Sequence, residues 1–387
     1  MSTDPLVSID HWGPEKVVVV SDRKSGMRGV LVIDNTARGT GKGGTRMSPT
    51  VTVAEVCRLA RTMTWKWAAV DLFHGGAKAG ILGDPHSPDK ERILRAFARA
   101  LADEVPKHYA FGLDMGLAEE DAAIFVDELN DRGASTGLPR DLGGLPYDQL
   151  GVTGYGVAEA ADAAAAHVGI DLKNARVAVQ GFGAVGRATV ERLHALGAQV
   201  TAVSTAAGYI HDPHGLDVPS LVAGAREAGD EALKDYASFS AEAQNLLTVP
   251  VDVLIPAATA DVITGQVASS TTAKLIVEGA NLPTTARARE VLHQRDIAVV
   301  PDFIANAGGI IAAAHSSDAR YSPFVVDPGS VFTMISEKLR ANAVQVVADS
   351  QSMNIPAQDA AHRLAQARVM AAMQARGFTP QPSAVPT

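Results

Sequence analysis

Cysteine is nearly absent from this sequence: Cys57 is the single one among 387 residues. A lone thiol excludes an intrachain disulfide and a cysteine-based zinc site, and it fits a reducing, cytoplasmic setting. Positive charge is also in short supply. Lys and Arg total 34 against 43 Asp and Glu, a formal net charge of -9, so the electrostatic footprint of a nucleic-acid-binding protein is missing. No apolar run is long enough to span a bilayer, because the Ala-rich stretch 160–166 is interrupted by Asp162 and reads as a helix face. Met1–Gly13 holds Asp4, Pro5 and Asp10 in place of a basic stretch leading into an apolar one, so no signal peptide is expected. No internal repeat stands out at solenoid periods, and no metal is expected.

What is present is ordinary globular material, with 47% hydrophobic and 20% charged residues. At roughly 100–200 residues per domain the length suggests two domains. The first third mixes strand and helix signals. Lys16–Val20 and Gly29–Ile33 are β-branched runs around a polar turn, Asp22–Gly26. Val53–Val70 has apolar residues at helical spacing, and Pro88–Leu101 and Glu119–Leu129 are further helix candidates. Ser135–Gly151 is rich in Gly and Pro, lacks periodicity, and reads as the linker into a second domain. Beyond it, helix Val152–Val168, strand Arg176–Gln180, helix Ala184–Leu196 and strand Gln199–Ser204 follow in turn, with buried-strand candidates at Val251–Ile255, Lys274–Val277 and Ile297–Val300. That alternation predicts an α/β fold with a parallel, doubly wound sheet. Val331–Arg376 returns to long helical patterns, and Thr379–Thr387, with three prolines, reads as a disordered tail.

The sharpest local signal is Gly181-Phe182-Gly183-Ala184-Val185-Gly186. Alone, GxGxxG is weak. Here it follows a strand and opens a helix, the context a dinucleotide site needs. The first glycine permits the turn, the second lets the backbone approach a pyrophosphate, and the third allows close helix–strand packing. The acidic residue that usually ends the second strand of an NAD site is missing. Ser204-Thr205-Ala206 stands there, where Thr205 can bond a ribose 2′-OH or tolerate a 2′-phosphate. NAD and NADP therefore both stay open.

Three lysines sit in unusual company: Lys42 before Gly43-Gly44, Lys66 between Trp65 and Trp67, and Lys78 between the pairs Gly75-Gly76 and Ala79-Gly80. Lysine is normally solvated. Burial and neighbouring positive charge lower its pKa, which suits it to acid–base work near neutrality. Snorkelling, with a buried stem and a wet ammonium, is the competing account of Lys66. Asp114 stands alone in Phe111–Gly116, as a proton relay or as a turn or cap residue.

Taken together, from about Val17 to about Gly377, these segments resemble the glutamate/leucine/phenylalanine/valine dehydrogenase family. The stretches that carry the resemblance are Lys42–Arg46, Met63–Ala69, Gly75–Gly80, Leu113–Gly116, Gly151–Val157, Gly181–Gly186, Glu278–Thr285 and Pro301–Gly309. The resemblance implies an N-terminal α/β substrate and oligomerisation domain (1–145), a Rossmann-like dinucleotide-binding domain (146–330), and C-terminal helices (331–376) returning to the first domain. It implies oxidative deamination of an L-amino acid to a 2-oxo acid and ammonium with NAD or NADP, in a homo-oligomer, with no nucleic-acid or membrane partner. Lys66 is then the anchor of the substrate α-carboxylate, Lys78 the catalytic lysine and Asp114 the proton-transferring acid. Thr153, Ala257, Asn281 and Asn306 join Thr205 and Gly181–Gly186 on the cofactor side.

Substrate choice rests on a few positions. Lys42 matches the lysine that holds the side-chain carboxylate in glutamate-type members, while Ala313 stands where those members carry a serine. Gly76, Gly112 and Ile310 complete the expected substrate set. Thr45-Arg46-Met47 and Gly76-Ala77-Lys78 are similar to leucine-type members, and Gly137–Gly144 and Gly208–Asp217 to glutamate-type ones. A buried lysine without an anion is costly, so Lys42 favours glutamate over a branched-chain or aromatic substrate. Two other readings are a hydroxy-acid dehydrogenase, for which no histidine–carboxylate pair is evident, and a silent nucleotide-binding regulator, which has no use for Lys66, Lys78 and Asp114 together.

Overall fold

The structure, a computed structural model, describes residues 9–378. The expected tail Thr379–Thr387 and the first eight residues lie outside them. Contacts group the chain into two compact units: 9–146, 313–328 and 365–378 form the first, and 147–312 with 329–364 the second.

In chain order, the first unit holds β1 (Lys16–Asp22), β2 (Met27–Asn35), β3 (Gly41–Lys42), β4 (Thr45–Ser48), α1 (Val53–Ala69), β5 (Gly75–Leu82), α2 (Lys90–Ala100), β6 (Tyr109–Ala110) and α3 (Glu119–Leu129). β1 and β2, the two expected β-branched runs, pair antiparallel around a turn fixed by Asp22 accepting the N–H and O–H of Ser25. The sheet order is β1-β2-β5-β3-β6, with β4 also on β5. α1 starts at Thr52, whose hydroxyl accepts the Glu55 N–H. It packs on one face, with Val30, Val32, Val56, Cys57 and Ala60 buried together. α2 and α3 cover the other face over Leu31, Ile33, Ala77, Ala79, Ile81, Phe97, Phe111 and Phe125. Arg368 donates to the carbonyls of Ala68 and Ala69, satisfying the open end of α1.

The central strand β5 is not visible to strand propensity, because Gly75, Gly76 and Gly80 interrupt it. Packing explains them. A Cβ at Gly76 would collide with the Thr64 hydroxyl and the backbone of α1, and one at Gly80 would lie 2.7 Å from Val56. These glycines let a helix lie unusually close to the sheet. At Gly76, a member of the expected substrate set, and at Gly80 the space beside the bare Cα is filled by protein.

The second unit continues with α4 (Tyr147–Leu150), α5 (Val152–His167), β7 (Arg176–Gln180), α6 (Ala184–Ala195), β8 (Gln199–Thr205), β9 (Gly208–His211), α7 (Val218–Ala228), β10 (Val253–Pro256), α8 (Gly265–Ser270), β11 (Leu275–Val277), α9 (Ala286–Gln294), β12 (Ala298–Val300) and α10 (Asp302–Ala305). α11 (Gly308–Asp318), α12 (Pro328–Met353) and α13 (Ala357–Ala375) close the chain. The sheet order is β12-β11-β10-β7-β8-β9, parallel except for β9, which runs antiparallel to β8. The expected wholly parallel sheet therefore gains one antiparallel edge. The doubly wound fold itself is borne out, and the direction of winding reverses between β10 and β7.

The C-terminal helices (331–376), expected to pack on the first domain, divide between the two units. α12 belongs to the second unit, where Ile335 and Leu339 pack on the bare Gly156 of α5. The buried Glu159 carboxylate of α5 accepts from Ser336 at 2.6 Å and Arg340 at 3.1 Å, and from Arg192 of α6 at 2.7 Å. Residues 313–328 and 365–378 instead join the first unit.

Candidate active site

Register sets the site in the first unit. Lys42 pairs with Gly76 and Arg46 with Gly80 in parallel pairing on β5. Strand residues two apart share a face, so Lys42, Lys78 and Arg46 all project to the face that α1 covers. Trp67 of α1 donates its indole N–H to the Lys42 carbonyl at 2.9 Å, tying helix to strand. Lys66, the neighbouring residue, lies half-buried in the last turn of α1.

Lys78 is 6% exposed, and its ammonium meets Asp114 at 3.0 Å. Asp114 also accepts from Arg46 Nε at 2.9 Å, and Arg46 in turn binds Glu55 at 2.6 Å. Burial pulls the Lys78 pKa down; Asp114 opposes this, Arg46 adds to it, and the net direction is down. Burial pushes Asp114 up, but Lys78 and Arg46 outweigh it and hold the carboxyl below its ordinary range. Arg46 thus takes part of the carboxylate that would otherwise stabilise the lysine ammonium. Asp114 does not cap α3, whose N-cap is Ala118. The motif Lys42–Arg46 by itself assigns Arg46 no role; its position two residues past Gly44 and four past Lys42, at strand period, is the available signal.

Lys42 is 5% exposed and donates to Thr136 Oγ1 at 3.1 Å. Among the described residues no carboxylate lies within ion-pair distance of it. Burial, then the charge of Arg320, lower its pKa to about 7, while Asp318 acts the other way. His74 lies tilted against Trp67, ring centroids 5.0 Å apart, and burial together with Lys42 pulls its pKa to about 4, so it stays neutral. Gly112 is close by: a Cβ there would lie 3.6 Å from Thr136 Oγ1. Thr136, Asp318 and Arg320 carried no signal in the sequence, being distant along the chain. Ala313 belongs to the first unit, and Ile310, half-buried on the same helix, to the second.

The cofactor-side residues occupy the second unit. Gly181 takes φ +94°, and a Cβ on it would strike Ala258. A Cβ on Gly186 would strike the Gly181 carbonyl, whereas nothing lies within 4 Å of one on Gly183, the N-cap of α6. Phe182 is buried beside them, and Ala184 and Val185 form the first turn of α6. Ala257 follows β10 and donates to the Gln180 carbonyl at 2.7 Å. These groups meet at the carboxyl ends of β7 and β10, where the winding reverses, the place doubly wound sheets bind nucleotides. The open Gly183 face with N–H groups of a twelve-residue helix fits a pyrophosphate. A second group joins Asn281 and Asn306 through a 2.9 Å side-chain bond, with Asn306 Oδ1 buried and unpartnered. Such an acceptor fits a carboxamide N–H of a nicotinamide. Thr153 lies against Gly309. At the end of β8 the Thr205 hydroxyl donates to the Asp230 carbonyl and accepts from Ala207 N–H, while Ser204 accepts from Gly181 N–H. Both hydroxyls are already engaged in shaping the turn.

Among the described residues, no group of three or more His, Cys, Asp or Glu side chains is placed to hold a metal ion, and no helix is long and apolar enough to cross a membrane. Family models describe residues 143–377 as glutamate/leucine/phenylalanine/valine dehydrogenase and 14–131 as the dimerisation domain of such enzymes. The chain is 36% identical to glutamate dehydrogenase A2 of Halobacterium salinarum, covering 89% of this chain and 85% of that one. It is 34% identical to the NADP-specific glutamate dehydrogenase of Saccharolobus shibatae over 94% of this chain and 90% of that one; a relative named NAD-specific matches as well. Glutamate dehydrogenase from Peptoniphilus asaccharolyticus superposes with a TM-score of 0.83 at 27% identity, covering 95% of this chain and 93% of that one.

Proposed function

This chain belongs to the glutamate/leucine/phenylalanine/valine dehydrogenase family, and on that footing we propose that it oxidatively deaminates L-glutamate to 2-oxoglutarate and ammonia. It is an amino-acid dehydrogenase that uses NAD or NADP. The observation that carries the choice of glutamate is Lys42, a buried ammonium that donates to a threonine hydroxyl and, among the described residues, has no carboxylate within ion-pair distance. A side-chain carboxylate supplies the missing anion. Ala313 is the observation favouring an apolar side chain, since it offers that carboxylate no hydroxyl.

The bound nicotinamide supplies the two-electron acceptor for the substrate Cα–H bond. Lys66 holds the α-carboxylate, and burial with the Arg46 charge lowers the Lys78 pKa, which favours the action of its amine as a base. That amine takes the proton of a water adding to the substrate imine carbon, and Asp114, 3.0 Å away, passes protons as ammonia departs. Asn281, Asn306, Thr153 and the Gly181–Gly186 turn orient the cofactor. The region matched as a dimerisation domain supports a homo-oligomer.

The test is initial-rate NAD(P)H oxidation with ammonium and 2-oxoglutarate, 2-oxoisocaproate or phenylpyruvate. The highest kcat/KM is expected with 2-oxoglutarate. A clear preference for either apolar 2-oxo acid overturns the substrate assignment, and activity without ammonium overturns the reaction.

A further inference from the structure

Lys42 is not the only cation in its neighbourhood that lacks an anion. Arg320 lies in the turn after α11, residues 319–321. Its Nη1 donates to the carbonyl and hydroxyl of the buried Ser317, both at 2.9 Å, and its guanidinium faces the Tyr321 ring at 5.3 Å. Tyr321 is itself held by Asp131 at 3.1 Å. Arg320 Nε is buried with no hydrogen-bond partner. It sits against Gly133, where a Cβ would come within 3.1 Å of Nε and collide with the Tyr321 hydroxyl. Three residues further along this segment, Thr136 accepts the Lys42 hydrogen bond. Residues 133–136 therefore carry Arg320 at one end and Lys42 at the other, at most about 10 Å of extended chain apart.

Two like charges in a partly dry site repel each other and each keeps a desolvation cost. The charge of Arg320 helps hold Lys42 near a pKa of about 7. Among the described residues, neither cation has a carboxylate within ion-pair distance. Among the described residues Asp318 is the anion acting on Lys42, and it is exposed at the end of α11. His74 adds no third charge, because its imidazole stays neutral. This arrangement is incomplete until an anion enters. The guanidinium, a planar fork of donors, suits a carboxylate. It also stands on the chain that carries Ala313, whose methyl offers no donor.

Resting on the assignment of glutamate as substrate, we infer that Arg320 is a second specificity-determining cation. With Lys42 it receives the side-chain carboxylate of a dicarboxylic amino acid, in place of a hydroxyl at position 313.

The experiment compares the whole enzyme with Arg320→Gln, Arg320→Lys and Asp318→Asn. The substrates are 2-oxoglutarate and 2-oxovalerate, which share a five-carbon chain and differ in the terminal carboxylate. In Arg320→Gln the ratio of kcat/KM for 2-oxoglutarate to that for 2-oxovalerate should fall at least tenfold, carried by KM. Arg320→Lys should recover most of that ratio. Asp318→Asn, at an exposed position and so compatible with folding, should lower the 2-oxoglutarate KM about threefold by removing a competing anion. An unchanged ratio in Arg320→Gln, an equal loss with both substrates, or an unchanged KM in Asp318→Asn overturns the inference while leaving glutamate as substrate. A wild-type preference for 2-oxovalerate overturns the glutamate assignment itself, and the inference with it.

Discussion

Replacing Lys42 by methionine separates the cost of a buried ammonium from its use. In the folded free protein, burial, aided by Arg320, lowers the Lys42 pKa from 10.5 to about 7. Below pH 7 the ammonium is charged in both the folded and the unfolded chain, and the folded state bears the full cost. At about 1.4 kcal/mol per tenfold change, the span from 10.5 to 7 corresponds to roughly 5 kcal/mol. Between pH 7 and 10.5 the unfolded chain binds more protons, so stability rises with pH and the cost is relieved. Methionine has similar length and no charge, so Lys42→Met should stabilise the substrate-free enzyme by about 1–4 kcal/mol near pH 6.5. At about 2–4 °C per kcal/mol for a unit of this size, the Tm should rise by several degrees. The gain should fade as pH approaches 10. Binding should change in the opposite sense. Losing one partner of a desolvated ion pair costs about 2–4 kcal/mol, or roughly 30- to 900-fold in kcat/KM for 2-oxoglutarate. Added 2-oxoglutarate with cofactor should stabilise the wild type and not the variant. Scanning calorimetry at pH 6.5 and 9.5, paired with steady-state kinetics, gives both readouts. Should Lys42→Met lower the Tm at pH 6.5 and keep the 2-oxoglutarate KM, Lys42 is a structural cation and the reasoning fails.

Lys78→Ala should reduce kcat by several orders of magnitude while NAD(P)H binding, followed by fluorescence, survives; near-normal turnover would remove Lys78 from the chemistry. Because its pKa is lowered, the free amine gains population at a lower pH than for an ordinary lysine. The acid limb of kcat should therefore move to higher pH in Arg46→Gln, where the charge that helps depress Lys78 is gone and Asp114 turns wholly to the lysine; an unmoved limb refutes that role for Arg46. Gly76→Ala should lower stability by about 3 kcal/mol, since the new methyl meets the backbone of α1 rather than open space; a Tm within a degree of wild type would show that the helix can retreat.

The second unit was nearly readable along the chain. Arg176–Gln180 and Ala184–Ala195 flank the glycine fingerprint where periodicity places them, because a buried parallel strand and the helix after it are both local patterns. The antiparallel β9 escaped, since Gly208–His211 pairs by its register with β8 rather than by any strong propensity. In the first unit the helices are local and were legible, but β5 was hidden by the glycines that its contact with α1 demands.

The same division runs through the site. The sequence by itself determined which groups exist: three lysines in apolar or glycine-rich settings, an isolated Asp114, and a phosphate-binding turn. Each is recognisable because its chemistry departs from what its local surroundings favour. Only the tertiary structure decided how those groups act on one another. It put Arg46 and Lys78 on the same carboxylate, tied the Thr205 hydroxyl to the Asp230 carbonyl, and gave Lys42 the company of Thr136, His74 and Arg320. Electrostatic coupling falls with distance in space and with hydration, neither of which separation along the chain encodes.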